Sequence, residues 1–97
     1  MAYIVVMAKK DQLPEVKMVL SDDLISRQSI IERGAEALGI NTEAHYVLIE
    51  GAEDAVERAK QMFEEKGIAA PENAEEIYRK IKEQEESAAD GMGLIFG

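Results

Sequence analysis

Ala44-His45-Tyr46-Val47-Leu48-Ile49 and, after Glu50-Gly51, Ala52-Glu53-Asp54-Ala55-Val56-Glu57-Arg58-Ala59-Lys60-Gln61-Met62-Phe63 form the stretch whose reading decides the fold. From Tyr46 to Ile49 both faces of a two-residue period are apolar, which is the pattern of a strand covered on both sides. Gly51 breaks that run, and the period changes. Ala52, Ala55, Val56, Ala59, Met62 and Phe63 recur at helical spacing, while Glu53, Asp54, Glu57, Arg58 and Lys60 take the other side. Gly67 stops the helix. A strand that feeds an amphipathic helix directly implies a layered α and β domain.

Upstream, Met1 to Ala8 is apolar on both faces and reads as a further strand. Such a strand is either central and covered twice, or covered once and paired at an oligomer interface. Lys9 to Pro14 is a polar connection, because Pro14 has no N–H to give to a ladder. Val16, Met18 and Leu20 alternate with Lys17 and predict a half-buried second strand, so that residues 1–20 form a hairpin. Ser21-Asp22-Asp23 predicts a helix start, with an oxygen side chain as cap and acids in the first turn. Leu24, Gln28, Ile31, Ala35 and Leu38 then give one helical face, and Gly39 closes it.

Downstream, Asn73 followed by Glu76 has the spacing of a capping box. Ala74, Ile77, Tyr78 and Ile81 form the stripe of a last helix, which Gly91 is expected to end. The tail Gly91-Met-Gly-Leu-Ile-Phe-Gly97 is apolar where termini are normally polar, and it predicts an edge strand or a segment docked on a partner. The expected order is β-β-α-β-α-α-β. It describes an α+β two-layer sandwich with a mostly antiparallel sheet of three or four strands and three helices, ferredoxin-like as the specific arrangement, in one domain over residues 1–97.

Composition narrows the function classes. Twenty acidic against eleven basic residues give a net charge of −9 over 97 residues, a field that repels phosphate backbones and anionic lipid. Lys9, Lys10 and Lys17 are the one basic grouping near a turn, and they read as solvated. With no cysteine, disulfides, thiolate chemistry and zinc ribbons drop out. No signal-peptide pattern opens the chain, and no apolar run approaches the roughly 18 residues of a membrane span. A cytoplasmic location is therefore expected. The preference for Glu and Lys among the ionic residues is compatible with a thermophilic source.

Catalytic signatures are lacking. His45 is the sole histidine and lies in the most apolar strand, where it reads as a structural residue. The tail spacing is G-x-G-x-x-x-G with no helix after it, which does not make a dinucleotide site. The segment Val47 to Phe63 resembles the final strand and helix of a KH domain, where a strand, a Gly and an A-V-x-x-A helix recur. The resemblance covers these residues only. No G-x-x-G loop is present, Ile31-Glu-Arg-Gly34 does not replace it, and nucleic-acid binding is not implied.

What remains is carboxylate density. Asp22 and Asp23 at one expected helix start, and Glu50, Glu53 and Asp54 at the next, supply oxygen ligands of the kind Ca²⁺ takes. Two functions are expected on these grounds. The first is a non-enzymatic interaction module, acting on a protein partner or a second copy through the apolar tail residues Leu94, Ile95 and Phe96. The alternative is weak Ca²⁺ binding by Asp22, Asp23, Glu50, Glu53 and Asp54. An enzyme built on His45 with a nearby carboxylate ranks last.

Overall fold

The computed structural model describes the backbone of residues 2–96 and the side chains of residues 2–86. Three strands, β1 (Ala2–Ala8), β2 (Ser29–Gly34) and β3 (His45–Gly51), form one sheet in the order β1-β3-β2. Both outer strands run antiparallel to β3, with Leu48 opposite Val5 on one side and Ile31 on the other. β1 and β2 are therefore parallel to each other, with β3 inserted between them. Helix α1 (Leu13–Leu20) lies in the connection, which makes a split β-α-β unit. Helices α2 (Glu53–Glu65) and α3 (Ala74–Phe96) follow β3.

The pleat sends successive side chains to opposite faces, and each face carries its own core. Val6, Val47 and Ile49 pack with Val16 and Val19 of α1, Ile25, and Val56, Ala59 and Phe63 of α2. Val5, Tyr46 and Leu48 pack on the other side with Ala35, Leu38, Ile77 and Ile81. Helices thus cover both faces of the sheet. The expected two-layer sandwich is corrected to three layers, and the α+β class stands. The described residues contain three strands in an open sheet, so the four-stranded ferredoxin-like arrangement is not among them.

The downstream elements fall where their periodicity puts them. The upstream half differs in two places. Residues 13–20 are helix α1, not the second strand of a hairpin. Pro14 sits in the first turn of that helix, where its missing N–H has no partner to lose. Val16 and Val19 are fully buried and three apart, while Met18 is 61% exposed, the reverse of the strand reading. The expected helix from Ser21 is also replaced. Asp22 does cap, its carboxylate accepting the backbone N–H groups of Leu24 and Ile25, but one 3-10 turn at Ile25–Arg27 is all that follows. The chain then extends into β2. Ile30 and Ile31 point to opposite faces, each half-buried against a different core. That suits two β-branched residues better than one stripe of a helix containing Gly34. A second 3-10 turn, Ala35–Leu38, ends at Gly39, whose φ of +73° is the left-handed conformation the C-cap needs.

The tail is likewise not a strand. The backbone of α3 stays helical to Phe96, so Gly91 does not end it. The side chains of Leu94, Ile95 and Phe96, on which the docking expectation rested, lie outside the described residues.

Candidate functional site

The five carboxylates expected to share a cation are divided by the fold. Asp22 faces α2, where the Arg58 guanidinium grips it: Nη2 lies 2.8 Å from Oδ1, and Nε lies 3.0 Å from both oxygens. That guanidinium, helped by the N–H donors of Ile25 and Leu24, lowers the Asp22 carboxyl to about 2. Asp23 pairs outward with Arg27 at 3.2 Å. Asp54 accepts the N–H of Ala55 at 2.9 Å within the first turn of α2, and Glu53 is exposed beside it. Glu50 points to the opposite face of the sheet. Among the described residues no three acidic or histidine side chains converge as a ligand group.

Glu50 belongs to a cluster the sequence did not announce. Its carboxylate accepts the Tyr78 hydroxyl at 2.7 Å and the Lys82 ammonium at 3.0 Å. The Tyr78 ring stacks on Tyr3 of β1, centroids 3.9 Å apart and planes 18° from parallel. The tyrosine hydroxyl, followed by Lys82, holds the Glu50 carboxyl below its usual range, and the carboxylate in turn raises Tyr78 and Lys82. Glu50 is thus bonded through both of its oxygens, one to Tyr78 and one to Lys82. The arrangement ties α3 to β1 and β3. The i,i+4 spacing of Tyr78 and Lys82 was the available signal, but nothing local names Glu50 as their partner.

His45, on β3, lies 3.2 Å from Glu32 of β2 through Nε2. Two adjoining grooves lie at this end of the sheet, and His45 lines the smaller. One, of about 610 Å³, is lined in part by Met7, Lys9, Lys10 and Glu43; the other, of about 350 Å³, shares Lys10 and Glu43 and reaches His45. Residues of both charge signs, Lys10, Glu36 and Glu43, line the groove that His45 reaches, together with Thr42.

A third groove, of about 310 Å³, runs along the outer edge of β1. Its floor is Tyr3, Ile4, Val5 and Val6 in succession, with Val5 and Val6 almost fully buried; Lys60 and Glu64 of α2 wall one side, and the connection Ile68 to Ala70 and Ala74 at the start of α3 close the other. At the far end the Met7 N–H is already engaged, donating to the Ala69 carbonyl at 3.0 Å. Backbone groups alternate in direction along a strand, so this bond fixes the outward set: Tyr3 and Val5 also turn N–H and C=O away from β3. Among the described residues no backbone group pairs with them, and the α2–α3 connection shields Val5, which is only 2% exposed. The strand above them, Ala-Tyr-Ile-Val-Val-Met-Ala, carries neither a charge nor a proline of the kind that protects an edge.

The sequence matches no family model, no curated protein and no solved structure. The likeness of residues 47–63 to a KH strand and helix therefore extends no further than the β3–Gly51–α2 unit itself.

Proposed function

We propose that this protein is a non-enzymatic interaction module that takes an apolar segment of a partner into the groove beside β1. The observation that carries the reading is the groove of about 310 Å³ between β1, α2 and the connection Ile68 to Ala70, with Tyr3 and Ile4 part-exposed on its floor. A concave, mainly apolar groove of this kind receives side chains of a partner, and the polar groups at its rim orient them. The strong negative charge does not oppose this, because apolar contact carries the affinity.

A peptide copying Ala2–Ala8 and flanked by lysines for solubility tests the reading. Titrated into ¹⁵N-labelled protein, it is expected to shift the amides of Tyr3 to Val6 together with Lys60 and Glu64. Shifts confined to the grooves around Lys10 and His45, or none at millimolar peptide, would sink the proposal.

A further inference from the structure

We infer that the outer edge of β2 takes an extended basic segment of a partner protein, added antiparallel so that its ammonium groups meet Glu32 and the carboxylates past Gly34. This surface is separate from the groove beside β1 and does not rest on it.

The phase of β2 follows from one bond. The Ala35 N–H donates to the Ala44 carbonyl at 3.0 Å, which continues the register of β2 on β3. Hydrogen-bonded positions alternate along an antiparallel pair, so Ile31 and Arg33 bond β3, while Ile30, Glu32 and Gly34 turn their backbone groups outward. The Met7 bond on the opposite flank gives the same phase, since it leaves Tyr46 and Leu48 to bond β2. Among the described residues the N–H groups of Ile30, Glu32 and Gly34 have no partner, and the Glu32 carbonyl takes only the Nη1 of Arg33, at 2.9 Å. The two edges of the sheet differ in cover. No residue of β2 is buried as Val5 and Val6 are: Ser29 and Glu32 are exposed and the others half-buried. A Cβ placed on Gly34 meets nothing within 4 Å. Among the described residues no connection bridges this edge as Ala69 bridges β1.

The side chains state what the added strand carries. Residues directly opposite one another in a sheet share a face. Ile30 and Ile31 are half-buried, one against each core, so apolar residues opposite them extend both. Glu32 shares the face of Ile30, its side chain is 45% exposed, and one oxygen alone contacts His45. A base opposite Glu32 completes a cross-strand pair. On the same face Gly34 opens onto the groove of about 350 Å³ lined by Glu36 and Glu43, two carboxylates to one ammonium, Lys10. Arg33, on the other face, is already paired with Glu85. An antiparallel partner that meets these positions from Gly34 to Ile30 reads Lys-Thr-Lys-Val-Val. A second copy of β2 centred on Glu32 would instead set two carboxylates against each other. The net charge of −9 also draws a basic segment toward the chain.

The test is a titration of the ¹⁵N-labelled full chain, at low ionic strength, with two end-capped peptides, Lys-Thr-Lys-Val-Val and Glu-Thr-Glu-Val-Val. The lysine peptide is expected to shift the amides of Ile30, Glu32 and Gly34, and the glutamate peptide to bind at least about tenfold more weakly, the difference narrowing with salt. Glu32→Lys, at an exposed side chain, is expected to weaken the lysine peptide by at least about tenfold. Gly34 has φ −71° and ψ 154°, which proline adopts without strain, so Gly34→Pro removes one outward N–H and leaves the sheet intact. It is expected to abolish the shifts at Ile30 and Glu32 while circular dichroism and thermal melting match the parent. Equal affinity for the two peptides, or undiminished binding to Gly34→Pro, overturns the inference. Shifts confined to Tyr3 to Val6, Lys60 and Glu64 overturn it too and leave the groove beside β1 as the site. No shift at millimolar peptide overturns it and leaves that groove to its own test.

Discussion

Asp22 and Arg58, 36 positions apart in the chain, form a two-pronged ion pair with Nη2–Oδ1 at 2.8 Å and Nε–Oδ2 at 3.0 Å. The same carboxylate accepts the N–H groups of Leu24 and Ile25. One side chain therefore closes the turn after α1 and fastens it to α2. This is a better-used carboxylate than a cation ligand, since its oxygens are already committed to fixed donors.

The acid limb of stability should report this pair. The Asp22 carboxyl sits at about 2 in the fold against an ordinary 3.8, so the folded state binds its proton less readily than the unfolded chain. The contribution is complete above 3.8 and is lost as pH falls toward 2. Asp22→Asn is expected to be less stable than the parent at neutral pH, and the gap should close across that window. Urea melts at a series of pH values check it. A gap that stays constant down to the lower limit would show that Arg58 does not discriminate the charged form.

The same commitment of oxygens argues about calcium. With Asp22 held by Arg58, Asp23 by Arg27, and Glu50 on the other face of the sheet by Tyr78 and Lys82, several millimolar Ca²⁺ should leave both the melting temperature and the amides from Ser21 to Ile25 unmoved. Saturable shifts at those amides would mean that the ion pair yields to the cation.

At the start of α2, Gln28 reaches across from the end of its 3-10 turn, and its Oε1 accepts the Ala52 N–H at 3.0 Å. A Cβ on Gly51 would occupy the space of that oxygen. Gly51→Ala should therefore displace Gln28 and cost about 1 kcal/mol, the worth of one such bond. Gln28→Ala should cost about the same. The double variant should cost little more than either single change, because both remove one interaction. Additive losses in chemical denaturation would show that the glycine is needed for another reason.

The contrast between the two halves of the chain explains what could be read from sequence. From Tyr46 to Phe63 each residue's local preference and its final environment agree: apolar pairs on a central strand, then a clean 3.6-residue stripe with Gly51 between. In Val16-Lys-Met-Val-Leu20 the alternation fitted a strand, and only Pro14, in a first-turn position, pointed the other way. Ile30-Ile31 fitted a helical stripe equally well. The choice was made by tertiary demand, since β3 has a second flank to fill and β2 fills it. The surroundings of β1 were half legible. The apolar run from Ala2 to Ala8 fitted a strand covered on both faces, as β1 is, but not its place at the edge of the sheet, and the groove beside it depends on where α2 and α3 begin.

Helix α1 can be tested at adjacent positions. Val19 is fully buried and Met18 is 61% exposed. Val19→Ala should cost about 2 kcal/mol. Met18→Asp should stay within about 0.5 kcal/mol of the parent. A strand over residues 16–20 would give the reverse ranking, with Met18→Asp severe, so two thermal or urea melts decide between them.

The cluster on the α3 face offers a titration. Glu50 lies below its ordinary 4.5 chiefly because the Tyr78 hydroxyl donates to it, with Lys82 second. Its contribution to stability is present above 4.5 and falls away as pH drops below that value. Tyr78 carries the opposite sign. Its hydroxyl is raised above 10.0 by the bond to Glu50, so that contribution is present below 10.0 and is lost as pH rises past it. Tyr78→Phe keeps the ring that stacks on Tyr3 and removes only the donor. The Glu50 carboxyl should then titrate closer to 4.5, since Lys82 alone holds it, and the alkaline loss assigned to Tyr78 should vanish. A ¹³C titration of the Glu50 carboxyl in parent and variant measures the first effect, and urea melts above pH 10.0 measure the second. If the Glu50 midpoint stays where it was, the hydroxyl is not its main support, and Lys82 carries the cluster.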